Sequence, residues 1–295
     1  MSQKTASDYF MERFAIVIIT IFSLLCIIPF LLIIGTSFNT EAAVRVKGFS
    51  IWPDEPTLEA YKMIFKSGKI ILGSYIVTIL MTAIGTVVGL SIISMTGYAL
   101  NRRDFPLRNG ISFFIYFASL FSAGLAPYYL MMVKVYHLKD NYLAVLLPLL
   151  MSPWLIILMK NYVKGVPYEL TEAGKIDGAG DFTIFVRLIL PMLKPALATI
   201  GLFLALGYWN EWYQSSLFLS ARVDYKPLQY MLYQIINQVA YLKNSVAGAY
   251  VTFDDFPQET LKMATAVVAT GPVILIYPFV QKYFISGITV GAVKG

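Results

Sequence analysis

Apolar runs of about twenty residues recur along this chain, and they constrain its fold more than any other feature. That length is what a helix rising 1.5 Å per residue needs to cross roughly 30 Å of hydrocarbon. Inside lipid every backbone N–H and C=O must be satisfied by the segment itself or by a closed barrel, and the period-two alternation of a barrel strand is missing here. The runs fall at about residues 14–37, 70–100, 110–135, 142–159, 196–219 and 264–284, each bounded by charged or turn-forming residues. The expected fold class is therefore an all-α membrane protein of about six transmembrane helices, one domain over residues 1–295. A hydrophobic content of 58% and a mean hydropathy of +0.67 agree with this, since a soluble domain carries far less. The first run is too long for a signal-peptide core and no small-residue cleavage site follows it, so it reads as a retained helix.

Several function classes fall away. Cys26 is alone within an apolar run, which excludes a disulfide inside the chain. With one cysteine and one histidine, His137, a zinc site cannot be assembled, and no carboxylate cluster suggests another metal. The net charge of +6 points to anionic lipid headgroups rather than nucleic acid, because no basic run is interleaved with aromatics. Residues 57–66 place Leu58, Tyr61, Ile64 and Phe65 at helical spacing, which predicts an amphipathic helix at the membrane interface. Gly85 and Gly89 in the second run, and Ala198, Gly201 and Ala205 in the fifth, predict close helix packing rather than transport chemistry. Lysine and arginine are divided almost evenly between the two sides. The short connection holding Arg102, Arg103 and Arg108 decides the orientation, with that connection and both termini in the cytoplasm. Loops at about 38–69 and 220–260 are then extracytoplasmic. The second carries Asp224, Asp254 and Asp255 with Tyr225, Tyr230, Tyr233, Tyr241 and Tyr250.

Between the fourth and fifth runs, at about residues 161–195, lies a polar segment with its own pattern. Pro167 suits the first turn of a short helix. The stretch Asp177-Gly178-Ala179-Gly180 supplies a turn, Asp181 suits the cap of a second helix from Phe182 to Leu190, and Pro191 and Pro195 open the next run. Such a helical hairpin, fastened at both ends to membrane helices, would pass any displacement to them.

The spacing resembles the cytoplasmic loop of importer-type ABC transporter permeases: E-A-A, three residues, G, nine residues, I, any residue, L-P. Here Glu172 and Ala173 match, Gly174 replaces the second alanine, Gly178 follows three residues later, Leu188 replaces isoleucine, and Leu190-Pro191 close the pattern. Three more stretches agree. Tyr98-Ala99-Leu100-Asn101-Arg102 is similar to the family's Y-A-L-S-R, Trp209-Asn210-Glu211 to its W-N-E/D, and Gly287-Ile288-Thr289 through Gly291, Lys294 and Gly295 to its C-terminal G-I-T-x-G-x-x-K-G. The likeness covers about residues 70–295 and is to carbohydrate-uptake permeases of the maltose-importer G-subunit type. It is nearer to the Gram-positive lipoprotein/oligosaccharide permeases and the alginate importer's second permease.

That resemblance implies a type I importer fold in the bacterial cytoplasmic membrane. It also implies a second permease subunit, two ATPase subunits and an extracytoplasmic solute-binding protein as partners, with an oligosaccharide as substrate. Glu172 would meet the ATPase electrostatically, Ala173, Gly174 and Ala179 would allow its close approach, and Gly178 would keep the turn, with Asp177, Leu188, Leu190 and Pro191 completing the loop. Gly291 and Lys294 would lie on a tail reaching toward the ATPase. ATP and Mg belong to that partner. This chain has no phosphate-binding G-x-x-x-x-G-K-[ST] and no cofactor of its own.

For the substrate pathway the candidates are Tyr208, Trp209, Asn210 and Glu211, with Tyr128 and Tyr129 as weaker ones. Aromatic faces stack on the C–H side of sugar rings and amides bond hydroxyls. An intramembrane carboxylate such as Glu211 marks a functional site unless another group satisfies it. The plainer reading puts Glu211 at the outer end of its helix, wet or hydrogen-bonded to a neighbour, and the tyrosines at the interface. Two alternatives stand beside a neutral oligosaccharide. An acidic, uronate-type oligomer would want cations, which are almost absent from the spans of this chain, although a partner permease could supply them. An ion-coupled secondary transporter would show internal repeats and midplane charges. An intramembrane enzyme lacks its constellation here.

Overall fold

The computed structural model describes residues 6–66, 68–244 and 258–292, with side chains of the last helix described as far as residue 275. These residues are almost wholly helical. In chain order the helices are α1 (Ala6–Ser37), α2 (Glu41–Lys47), α3 (Glu59–Phe65), α4 (Gly68–Asn101), α5 (Arg108–Leu120), α6 (Leu125–Leu130), α7 (Leu143–Leu150), α8 (Pro153–Lys164), α9 (Glu169–Ile176), α10 (Asp181–Ile184), α11 (Leu190–Met192), α12 (Lys194–Trp209), α13 (Tyr213–Phe218), α14 (Leu228–Asn244) and α15 (Gln258–Ala292). Among the described residues, Phe10–Ser37, Gly68–Asn101 and Leu143–Lys164 are long and apolar enough to cross a membrane, and two bent pairs raise the number to five. The sixth apolar run falls inside α15.

Three of the expected straight spans are interrupted, the fourth only briefly at residues 151–152 between α7 and α8. The third run bends by 115° between α5 and α6. Phe121 turns extended there, and Gly124 takes φ +92°, a conformation that costs glycine little. The fifth run stops at Trp209 and resumes at Tyr213 after three non-helical residues. Averaged hydropathy does not register such short breaks, even where Asn210 and Glu211 interrupt the run.

The chain divides into two compact units. One combines the N-terminal residues through Gly68 with Gln234–Pro272. Thr40 caps α2, its Oγ1 accepting from Ala43 N at 3.2 Å. The Gly35 backbone lies so close to the Ile51 carbonyl that a side chain there would collide with it. Glu41, 6% exposed, reaches the start of α15: its carboxylate accepts from the N–H of Glu259 (3.0 Å), the N–H of Thr260 (3.1 Å) and the Thr260 hydroxyl (3.2 Å). The two amide donors are among the first N–H groups of α15, which have no partner inside the helix. The interface helix expected over 57–66 forms as α3, but with a different inner face. Ala60 and Ile64 are buried and the Tyr61 hydroxyl bonds Ser37 at 2.8 Å, whereas Leu58 and Phe65 are about half exposed.

In the other unit, Lys69–Tyr233 and the residues from Val273, the core joins α4, α8, α12 and the polar segment between α8 and α12. Ile93, Tyr98, Ile156, Met159, Ile184, Phe185, Ile189, Ile200, Leu204 and Tyr208 form one buried cluster. The small residues act as expected. Gly85 admits the Tyr208 ring, Gly89 lies against Leu204 and the Leu150 carbonyl, and Gly201 faces Leu90.

Candidate functional site

The polar segment is a helical hairpin. Its first arm is α9. The Asp177, Gly178 and Ala179 amides then close back on Ala173, Lys175 and Gly174 carbonyls at 2.9–3.0 Å, with Gly178 at φ +75°. The second arm runs from α10 through a π-helical turn, Phe185–Ile189, into α11, and then bends by 85° into α12. Two local expectations change. Pro167 precedes the cap residue Tyr168 instead of sitting in the first turn of α9. Asp181 does not cap the second arm, since Gly180 holds that position and the Asp181 carboxylate is turned to Arg102.

The hairpin has two faces. Thr171, Gly174, Ile184, Phe185 and Ile189 are buried, and Ala179 and Leu190 are half-buried. A side chain at Gly174 would meet Ile184 and Leu188 at 3.0–3.1 Å. Gly174 therefore lets the two arms close on each other, and the expectation that it opens space for a partner is corrected. Ala179 packs against the same core rather than outward. The outer face carries Glu172, Ala173, Asp177, Gly178, Leu188 and Pro191, all exposed. Ile176 (85% exposed) and Phe182 (70%) stand beside them at the tip. Sequence reasoning passed over these two, although both flank the turn.

Four charged side chains join both arms to the α4–α5 connection. The Arg102 guanidinium donates to Asp104 through Nε (2.9 Å) and Nη2 (2.5 Å), and through Nη1 it pairs with Asp181 at 2.7 Å. Lys175 Nζ donates to the same Asp104 at 2.5 Å. Hydrogen bonds from Arg102 and then Lys175 hold the Asp104 carboxyl well below the usual carboxylate range, and Asp104 raises the Lys175 ammonium in return. Arg103 lies 4.6 Å above the Tyr168 ring at the base of α9, a cation–π distance.

The pathway candidates separate. Tyr208 is 1% exposed, with its hydroxyl donating to the Leu146 carbonyl at 2.9 Å, so it is a packing residue. Trp209 is also buried. Asn210 is exposed and accepts from Gln229 Nε2 at 3.4 Å. Glu211 is half-buried, and its carboxylate accepts from the Gln214 N–H at 2.5 Å, capping α13 instead of reaching another helix. Tyr128 donates to Gln214 Oε1 at 3.0 Å, and Tyr129 stacks on Phe218 at 5.7 Å. Trp212 lies 4.7 Å from Tyr233, and both rings are about 40% exposed. Asn210, Gln229, Trp212 and Tyr233 thus form a surface of amides and aromatic faces. The outer-loop reading of 220–260 named Tyr233 but passed over Gln229, which lies four residues before it on α14. An open cleft of about 430 Å³ beside Tyr128 is lined by Met131, Met132, Tyr136, Leu138, Leu147 and Pro148. At the C-terminus Gly291 falls within α15, and Lys294 lies outside the described residues, as do Tyr250, Asp254 and Asp255.

Residues 89–290 match the family described as binding-protein-dependent transport system inner membrane component. The chain is 39% identical over 274 residues to the polygalacturonan/rhamnogalacturonan transport system permease protein YtcP of Bacillus subtilis (strain 168), covering 93% of this chain and 94% of that one. The arabinooligosaccharides transport system permease protein AraQ of the same strain is 29% identical over 281 residues, covering 92% of each chain. Among solved structures, a chain from the crystal structure of a bacterial ABC transporter involved in the import of the acidic polysaccharide alginate superposes with a TM-score of 0.80 at 32% identity, over 96% of this chain and all of that one.

Proposed function

The chain belongs to the binding-protein-dependent transport system inner membrane component family, and from that membership we propose that it is the permease subunit of an ATP-driven importer of oligosaccharides. It forms half of the translocation pathway beside a second permease and receives substrate from an extracytoplasmic binding protein. The hairpin is its contact with a cytoplasmic ATPase, which holds the ATP and Mg. The observation that carries this reading is the two-sided hairpin. Its inner residues Ile184, Phe185 and Ile189 belong to the same core as α4, α8 and α12, while Glu172, Ile176 and Phe182 are exposed at the other face. An exposed apolar pair beside a carboxylate suits a complementary cleft on a partner, and a base fused into the membrane helices passes on the movement. Nucleotide shifts the equilibrium between inward-open and outward-open states only by its differential affinity for them, so the hairpin must bind states of the ATPase that differ.

Asn210, Gln229, Trp212 and Tyr233 suit the hydroxyls and C–H faces of a sugar. The importers named for polygalacturonan/rhamnogalacturonan and alginate support an acidic oligomer as a second reading. The test is co-purification with the neighbouring ATPase after changing Glu172→Lys and Gly178→Val together. Loss of the ATPase and of oligosaccharide uptake, with the altered chain still inserted in the membrane, is the expected result. Uptake that survives the change would exclude the hairpin as the coupling element. Competition of uptake by neutral and by uronic oligomers separates the two substrate readings.

A further inference from the structure

Building on the importer reading, we propose that Arg102 and Asp104 are positioning residues of the transport cycle, clamping both arms of the hairpin to the α4–α5 connection so that its displacement reaches those two helices as well. Chain connectivity ties the hairpin only to α8 on one side and α12 on the other. Arg102 stands directly after α4, and Asp104 lies in the short connection to α5. The four charges alternate in sign as Lys175–Asp104–Arg102–Asp181, with Lys175 on the first arm and Asp181 on the second. Arg102 is the most shielded of them, its side chain 16% exposed. Its planar fork addresses two carboxylates at once, which a lysine cannot reproduce.

Further bonds lead outward from the clamp. Arg108, the first residue of α5, donates from Nη1 to the Arg102 carbonyl at 3.1 Å, and Lys160 of α8 donates to Ser112 of α5 at 2.8 Å. Beneath the charges, Tyr98 of α4 meets Phe185 of the second arm at 5.2 Å. None of these contacts uses the side chains of Glu172, Ile176 or Phe182. Isolated exposed ion pairs contribute little, and a network with shared members is where they matter.

The test uses the complete importer in proteoliposomes and the full chain alone in detergent, each with Asp104→Asn and Asp181→Asn together. In the chain alone, amide hydrogen exchange across residues 169–189 should rise about three- to tenfold, the loss expected from a few partly exposed pairs, while α12 stays as protected as before. In the importer, the ATPase should remain bound and hydrolysis should continue, while oligosaccharide imported per ATP falls by a similar factor. Asp104→Glu with Asp181→Glu should restore that ratio, and Arg102→Lys should not. Unchanged exchange would overturn the clamp, and raised exchange with an unchanged import-to-hydrolysis ratio would overturn its role in coupling. Loss of the ATPase from the doubly changed complex would reassign these residues to docking and overturn the proposal. Should the unaltered chain bind no ATPase, the importer reading fails instead, and the exchange measurement still judges the clamp.

Discussion

Gly178 takes φ +75° at the apex of the hairpin, where an L side chain costs about 1–2 kcal/mol. Gly178→Val should therefore loosen the tip, read as faster amide exchange at 176–182 without a change in the exchange of α4. Gly85 is constrained by its neighbour instead, because the Tyr208 ring fills the place of its side chain. Gly85→Ala should cost roughly 1–3 kcal/mol through overpacking, and Tyr208→Phe about 1 kcal/mol through the lost bond to Leu146. Thermal unfolding in detergent should rank the two in that order. The Asp104 carboxyl, flanked by Arg102, Lys175 and Asp181, has its pKa lowered by the first two. A lowered folded pKa means that its stabilisation is present above the ordinary carboxylate pKa and lost as pH falls below it. Lys175, raised, loses its share only above the usual lysine range. Hairpin exchange, corrected for intrinsic rates, should stay flat from about pH 5 to 9 and respond to salt, which screens such pairs. At this scale the sequence was legible where a residue's role is local: Gly178 followed from the turn composition. It was not legible where a partner lies far along the chain, and Arg102 read as a marker of orientation and as part of a family motif, not as an ion-pair partner, because Asp181 is 79 positions away.

The hairpin formed as an element where its proline and glycine signals placed it, since short helices and turns are written in local chemistry. Its facing was not readable, because which side of α9 is buried depends on what α10 and the π-turn place against it. Ile176→Ser with Phe182→Ser should reduce ATPase capture several-fold while leaving hairpin protection intact, because both side chains are exposed. Full ATPase binding by that variant would move docking away from the tip. The breaks at 121–124 and 210–212 were equally hidden, since hydropathy averages over them. Glu211 shows what such a break needs: α13 begins without an intrahelical partner for its first amides, and the carboxylate supplies one. Glu211→Ala should lower stability by about 1 kcal/mol and Glu211→Gln by less, both measurable as unfolding shifts before any effect on uptake is interpreted.

For the molecule as a whole, six apolar runs and four short motifs were enough to identify the family, because membrane spans and the spacing of a docking loop are both properties of contiguous sequence. The division into two units was not foreseen, nor was the joining of the first sixty residues to a segment near residue 260. Glu41 makes that join, and it has a consequence for how the chain is made. The carboxylate that caps α15 is synthesised 218 residues before the amide of Glu259. A nascent chain inserted as far as α14 has made Glu41 and Arg45, which lie 3.5 Å apart in the finished fold, but not the amides that Glu41 serves there. Helix α2 thus reaches its final bonding only when α15 arrives, so a chain cut short before α15 leaves its N-terminal quarter unfinished as well, a state that membrane proteases can recognise.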